Sequence, residues 1–415
     1  MSIFNDTKIA FQHLSNRQVL MAYWLFLLLS SRRLQKVIVP TIQFFGKVHL
    51  SFNFIISPLY NQFFGGKKLD DTIQNIRNTA KRHVFTILHY GVEFKKTETE
   101  FDYSLKKILE SIEFAHEHLR VKIISCKVTG LGQAKILEKI QNKEVLTPNE
   151  EQAFERLKNR IQQICERASG YELSIYWDAE ESWIQEVIDE LIEQQMKQFN
   201  QTQALIFNSV QLYRTDRLTY LENLIDKAKQ QGFIVGAKLV RGAYLEKENF
   251  RAKALNIVSP IHISKENTDD SYHKAIAICL SEIKQVAICI ASHNEESCAF
   301  AINLMKELGI KNSHPHIWFS QLYGMSDHIS NNLANLLYNV AKYMPYGKPK
   351  DKDNDKVSDK MDKCREVAGV WEFKGCPDTD TSFENGEIVW FTFHAPEDVS
   401  LTAAITVGVY VDETF

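Results

Sequence analysis

The chain predicts an α/β fold: a (βα)8 barrel of the TIM type, with an N-terminal helical segment before it and an unrelated C-terminal β-rich tail after it. Three observations carry this. Short apolar, strand-like runs recur eight times, and between them lie longer helix-like stretches, among them ones whose apolar residues fall at spacings of three and four. Strict alternation of this kind implies parallel strands joined by crossover helices, and eight such units favour closure over an open sheet. No G-x-G-x-x-G follows the first strand, which removes the main signature of an open dinucleotide-binding sheet. On length alone, 415 residues leave a two-domain division open.

Taken in order, residues 1–80 read as the helical segment. Within it the apolar run from Met21 to Leu29 is about half the length that crosses a bilayer, so core packing is its expected use. Arg32, Arg33 and Lys36 follow, and keep peripheral membrane contact open. The polar stretch ahead of the run is too long and mixed for a signal peptide, and Asp6 with few arginines argues against an organellar transit peptide. The barrel is expected over 81–347, with strands at 84–88, 121–126, 173–177, 205–210, 234–240, 286–290, 317–322 and 338–342. Helical periodicity is clearest at 151–167 and 182–199. Residues 348–369 read as a charged linker, since 348–363 alternate in charge with almost no apolar side chains. Over 370–415, strand-like runs at 387–394 and 401–411 are punctuated by Asn385-Gly386 and Ala395-Pro396.

With 49 Lys and Arg against 52 Asp and Glu, the net charge is −3, which gives no general reason to expect nucleic acid. A small molecule is the expected partner. The seven cysteines contain no C-x-x-C pair, and several sit in apolar runs. Reduced, buried, structural thiols in a cytoplasmic protein are therefore expected. His314 and His316 lie in a loop-like Asn-Ser-His-Pro-His, and without acidic or cysteine partners at ligand spacing no metal site is expected.

The chemistry of such a barrel sits at the carboxyl ends of its strands. Those positions are unusually polar here. The second strand runs into Lys127 and Thr129, the third into Asp178, Glu180 and Glu181, and the fourth into Asn208 and Gln211. The fifth ends in Lys238, Arg241 and Tyr244, which set two cations and a phenol around Gly242 as an anion site beside an aromatic wall. The sixth ends in Ser292, His293 and Asn294, the seventh in Gln321 and Tyr323, the eighth in Tyr343 and Tyr346. Each has a plainer use: Asp178 could cap the following helix, Glu180 and Glu181 could serve its first turn, and His293 alone would be an ordinary satisfied histidine. Lys127 is harder to dismiss, because an unpaired ammonium inside a barrel costs several kcal/mol or shifts its pKa.

Over roughly residues 1–347 the chain resembles the proline dehydrogenases. Seven motifs in order carry the resemblance: Cys126-Lys-Val-Thr-Gly-Leu131, Asp178-Ala-Glu-Glu-Ser-Trp183, Phe207-Asn-Ser-Val-Gln211, Lys238-Leu-Val-Arg-Gly-Ala-Tyr244, Ala291-Ser-His-Asn-Glu-Glu296, Gln321-Leu-Tyr-Gly-Met-Ser-Asp327 and Asn339-Val-Ala-Lys-Tyr-Met-Pro-Tyr-Gly347. They are most similar to the short single-function bacterial enzymes and their mitochondrial relatives. The resemblance implies FAD as cofactor and oxidation of L-proline to pyrroline-5-carboxylate, with hydride passing to the flavin. It places Ala179, Gln211, Arg241, Gly242, Ala243, Ser292 and His293 at the cofactor, and Lys127, Tyr244, Leu322 and Tyr343 around proline. Asp178 orients or balances the cations of the pocket, and Lys238 favours the reduced flavin. It implies a quinone as electron acceptor, and a location in the cytoplasm, peripheral on the inner membrane, or in mitochondria if the source is eukaryotic.

After Gly347 the sequence departs from that pattern. The family continues into a helix with an adjacent arginine pair and a nearby glutamate that clamp the substrate carboxylate, and nothing in 348–415 matches it beyond a weak echo at Arg365. A catalytically silent flavin-binding member, or the product of a disrupted gene, is the alternative expectation.

Overall fold

The computed structural model describes residues 3–30, 62–91, 95–347, 388–391 and 407–410. The chain divides into two compact units, Met1–Phe11 with Leu69–Tyr346, and Gln12–Lys68 with Gly347–Phe415.

The first unit is a closed barrel of eight parallel strands in sequence order. They are β1 Phe85–Tyr90, β2 Val121–Cys126, β3 Ser174–Trp177, β4 Ile206–Gln211, β5 Val235–Val240, β6 Val286–Ala291, β7 Ile317–Leu322 and β8 Val340–Tyr346. β8 closes on β1 with Phe85 opposite Ala341 and Tyr90 opposite Tyr346. All eight expected strands form, and the eighth runs four residues further. Its pairing with β7 stops at Tyr343, so Pro345 lies where β8 pairs with β1 alone and a missing N–H is tolerated.

Local sequence fixes the helices between strands. Thr97 and Glu100 form a capping box ahead of Glu98–Glu117, and Thr147 with Glu150 does the same for Pro148–Gly170, whose proline occupies the first turn. Apolar side chains pack in two layers. Ile87, Ile123, Tyr176, Phe207, Ala287, Cys289 and Ala341 fill the barrel interior, while a larger layer including Leu88, Ile124, Trp177, Val210 and Leu239 packs beneath the helices. Gly236 lets β5 lie close against β4, since a Cβ there would stand 2.2 Å from the Ile206 carbonyl oxygen. Cys126, Cys165, Cys279, Cys289 and Cys298 are free and buried, as expected.

In the second unit, the helix Asn16–Ser30 contains the apolar run, and Met21, Tyr23 and Trp24 at its start are exposed, against the expectation of core packing for that part of the run; the side chains of residues 25–29 lie outside those described. Among the described residues no helix is long and apolar enough to cross a membrane. Ile388–Phe391 (β9) pairs antiparallel with Val407–Tyr410 (β10), within the two strand-like runs of the tail. The linker at 348–369, the missing arginine-pair helix and Arg365 lie outside the described residues.

Candidate active site

At the carboxyl end of β3 the chain turns outward and leaves Asp178 facing the barrel mouth. Lys238 Nζ donates to its Oδ1 at 2.6 Å and the Tyr343 hydroxyl to its Oδ2 at 2.7 Å. Two expected site residues thus meet on the carboxylate of a third. His89, from the end of β1, stacks on Tyr343 with ring centres 5.1 Å apart, and its Nδ1 lies 3.9 Å from Asp178. Burial works to raise the Asp178 carboxyl, but Lys238, His89 and the two hydrogen bonds outweigh it and hold the group down at about 2. It is a fixed anion.

Beside it, the Lys127 Nζ donates to the Tyr244 hydroxyl at 3.1 Å and lies 5.7 Å above that ring, so β2 and the loop after β5 meet across the mouth. Gln211 ends β4 next to Val240 and donates through Nε2 to the Glu180 carbonyl at 2.9 Å. Its Oε1 is buried with no hydrogen-bond partner. An orphaned amide oxygen inside a polar site is an acceptor awaiting a donor.

Arg241 follows β5. Its Nε and Nη2 donate to Asp269 Oδ1 at 2.9 and 2.6 Å, its Nη1 to the Ser292 hydroxyl at 2.9 Å, and Nη2 also to Ser297 at 2.8 Å, while Tyr272 lies 4.4 Å beneath the guanidinium. Gly242 comes next with φ of +148°, and a Cβ there would stand 2.1 Å from the Tyr213 ring, so only glycine leaves that backbone open. Ala243 and Ala179 are half-buried at the same end of the barrel.

His293 bonds through Nδ1 to Ser326 at 2.8 Å, and its Nε2 accepts from the Leu322 amide at 3.5 Å, joining two further expected residues. Burial first, then Lys342, His328 and Arg241, push this imidazole down to about 3, so it is neutral. Under it Lys342 is buried in β8 with its ammonium 2.8 Å from Asp327.

The plainer readings of Asp178 and Glu180 fail. The helix Ser182–Phe199 begins after Glu181, so Asp178 does not cap it and Glu180 lies outside it, while Glu181 is its N-cap residue but makes no side-chain capping bond. Glu181 instead pairs with Lys247, and Glu180 accepts from the Thr129 amide at 2.9 Å and from its hydroxyl. Sequence reading overlooked His89, Asp269, Ser297 and Lys342. His89 lies one residue past the first apolar run, and Lys342 stands inside a strand among apolar neighbours. Asp269 and Ser297 lie in helices, where nothing local marks them. Among the described residues no group of His, Cys, Asp and Glu could hold a metal ion.

A parallel barrel whose mouth gathers lysines, a fixed carboxylate, tyrosines and an unfilled amide acceptor defines a (βα)8 protein built to hold a polar small molecule. The chain belongs to the proline dehydrogenase family, whose model matches residues 72–352. It is 30% identical over 284 residues to the carbapenem antibiotics biosynthesis protein CarD of Pectobacterium carotovorum, covering 68% of this chain and 73% of that protein. To mitochondrial proline dehydrogenase 1 it is 36% identical over 211 residues in Drosophila melanogaster (48% of this chain, 31% of that one) and 34% over 230 in Homo sapiens (55% and 38%). The chain therefore spans less than half the length of these mitochondrial relatives. Proline utilization A of Bdellovibrio bacteriovorus, solved after inactivation by N-propargylglycine, superposes with a TM-score of 0.66 at 19% identity over 84% of this chain and 37% of that one, a likeness of fold.

Proposed function

We propose that the protein is an FAD-dependent proline dehydrogenase that oxidises L-proline to pyrroline-5-carboxylate. The single observation that carries this is the meeting of Lys238, Tyr343 and His89 on Asp178 at the barrel mouth, in a chain of this family.

The residues present fit the cofactor. Gln211 Oε1 is an unfilled acceptor suited to the pyrimidine N–H of an isoalloxazine, while its Nε2 is already anchored. Arg241 with the open backbone at Gly242 and Ala243 suits a pyrophosphate, and Ser292 keeps the guanidinium in place. His293, neutral and hydrogen-bonded on both nitrogens, shapes the wall without adding charge. When bound, FAD supplies the two-electron acceptor for hydride from proline C5.

The chain supplies the rest. The Lys127 ammonium pairs with the substrate carboxylate and is itself steadied by Tyr244. Leu322 and Tyr343 wall the pyrrolidine ring. Asp178, ionised down to about pH 2, is too weak a base to take the amine proton, so that proton leaves beforehand. Its fixed charge instead faces the cation that develops on nitrogen as hydride departs. Lys238 holds that carboxylate and adds positive charge toward the cofactor. The terminal acceptor is a quinone on this reading.

The test is direct: purify the full chain, record the visible spectrum and add L-proline without oxygen. Bleaching of a bound flavin supports the proposal. A flavin spectrum that persists favours the silent flavin-binding alternative suggested by the unmatched arginine-pair helix, and a colourless protein that takes up no FAD defeats both.

A further inference from the structure

Glu180 is only 2% exposed, a burial that is costly for a carboxyl without fixed partners. Its partners lie in both halves of the site. The side chain takes two hydrogen bonds from Thr129, the amide at 2.9 Å and the hydroxyl, and so ties down the short 3-10 turn Val128–Gly130 that Lys127 opens. Lys127 makes no side-chain capping bond to that turn. The backbone carbonyl of the same Glu180 receives the Gln211 amide at 2.9 Å.

We propose that Glu180 is a positioning residue that couples the two halves of the site, its carboxyl fixing the turn that presents Lys127 to the substrate and its carbonyl fixing Gln211 at the cofactor. This rests on the function proposed above. The residue is well placed for the task because its own backbone cannot drift. Its amide donates to Gln185 Oε1 at 2.6 Å, Gln185 donates to Asp189 at 2.8 Å, and Asp189 is held by Asn208 at 2.7 Å and Arg217 at 2.5 Å. This chain of buried polar contacts runs behind β3 and β4 and anchors the joint from outside the barrel.

Charge adds a second effect. Burial raises the Glu180 carboxyl, Lys127 opposes that from the end of β2, and neighbouring Glu181 reinforces it, leaving the group at about 7. Gln211 and Gln185 contact its backbone as neutral amides, Thr129 bonds to the carboxyl, the buried Cys126 thiol lies near, and Lys127 and Glu181 are the charged groups that act on it. Ionised Glu180 draws on the field of Lys127 that a substrate carboxylate needs, and protonated Glu180 does not. Substrate affinity therefore weakens as pH rises through about 7.

The experiment compares wild type, Glu180→Gln and Glu180→Ala as flavin-loaded full chains. KM and kcat for L-proline, and the Kd of tetrahydrofuran-2-carboxylate, a ring carboxylate with no amine to oxidise, are read from about pH 6 to about pH 9. Glu180→Ala should raise KM and the analogue Kd about tenfold with kcat changed less than about threefold, because a positioning contact is lost and no reacting group is. Glu180→Gln, whose amide oxygen still accepts from Thr129, should restore most of the affinity at low pH and abolish the inflection in Kd near neutrality. An inflection that persists in Glu180→Gln, or kcat and KM that worsen in parallel with a fall in thermal stability, overturns the inference. Should Glu180→Ala fail to fold, Thr129→Val takes its place and must raise the analogue Kd. A wild type that binds the analogue but is not bleached by proline defeats the proposed oxidation alone, with Glu180 still judged by Kd. A wild type that binds neither ligand overturns both.

Discussion

Lys238 and Asp178 lie 2.6 Å apart across the barrel mouth, on β5 and just beyond β3, with β4 between them. Both are buried, so each neutralises a charge that its neighbours could not solvate. Lys238→Met should cost about 3–5 kcal/mol in chemical denaturation by stranding the carboxylate. Adding Asp178→Asn should recover most of that loss, yet flavin reduction by proline should stay at least about a hundredfold slow in the single and double variants. Additive stability losses would show that the pair is not coupled.

His293 should contribute a loss of stability on mild acidification. Its imidazole is held at about 3 in the folded protein against 6.5 ordinarily. The unfolded chain therefore binds the proton first, and stability is lost as pH drops from about 6.5 toward 3, by up to about 1.4 kcal/mol per unit. Asp178, lowered from 3.8 to about 2, adds a loss below pH 4 that is complete near 2. Glu180 acts oppositely between about 4.5 and 7, where its raised carboxyl favours the folded state at lower pH. Urea midpoints of wild type and His293→Asn, compared at pH 5 and pH 7, isolate the first effect. Between pH 7 and pH 5 wild type should shift toward lower stability relative to the variant, and equal changes in the two would rule His293 out as a source.

The barrel was legible because parallel strands buried on both faces read as continuous apolar runs, and eight of them leave few arrangements. The residues that gather at the barrel mouth were legible where they follow strand ends, as at Lys127, Asp178, Gln211 and Lys238. What stayed hidden is what holds those residues in place. Asp269 and Ser297 reach Arg241 from helices distant in sequence, and Glu180 resembles a helix-start carboxylate until the observed helix begins at Ser182. The exposure of Met21, Tyr23 and Trp24 was not legible because hydropathy records composition and not what covers a helix.

Gly242 is the position where one methyl group should empty the cofactor site. With φ of +148° and Tyr213 ring atoms 2.1 Å from where a Cβ would stand, Gly242→Ala combines backbone strain with a clash against a buried ring. A cost of about 1–3 kcal/mol is expected, together with loss of most bound flavin. The ratio of flavin to protein absorbance reads the second effect. Tyr213→Ala in the same chain removes the clash but not the strain, so flavin content should recover in part. No recovery would mean that the backbone conformation alone sets retention.

Asp269 should work against cofactor affinity through its charge and for it through its geometry. The carboxylate accepts from Arg241 Nε and Nη2 and from Lys265 at 2.9 Å, which fixes the guanidinium but offsets its charge where a pyrophosphate is expected to lie. Burial raises this carboxyl, yet Lys265 and Arg241 hold it below its ordinary range, so it is charged at neutral pH. Ser292, Ser297 and the Tyr272 ring also hold Arg241, and an asparagine oxygen could still accept from it. The charge should therefore decide the sign. Asp269→Asn is expected to tighten FAD by about threefold to tenfold at low salt, a gain that shrinks as salt screens the site. Asp269→Ala, which loses the acceptor as well, should loosen FAD about tenfold. Titration of apoprotein with FAD, followed by flavin fluorescence, separates the two. If Asn and Ala loosen binding equally, the ion pair itself and not the placement of Arg241 is what the cofactor requires.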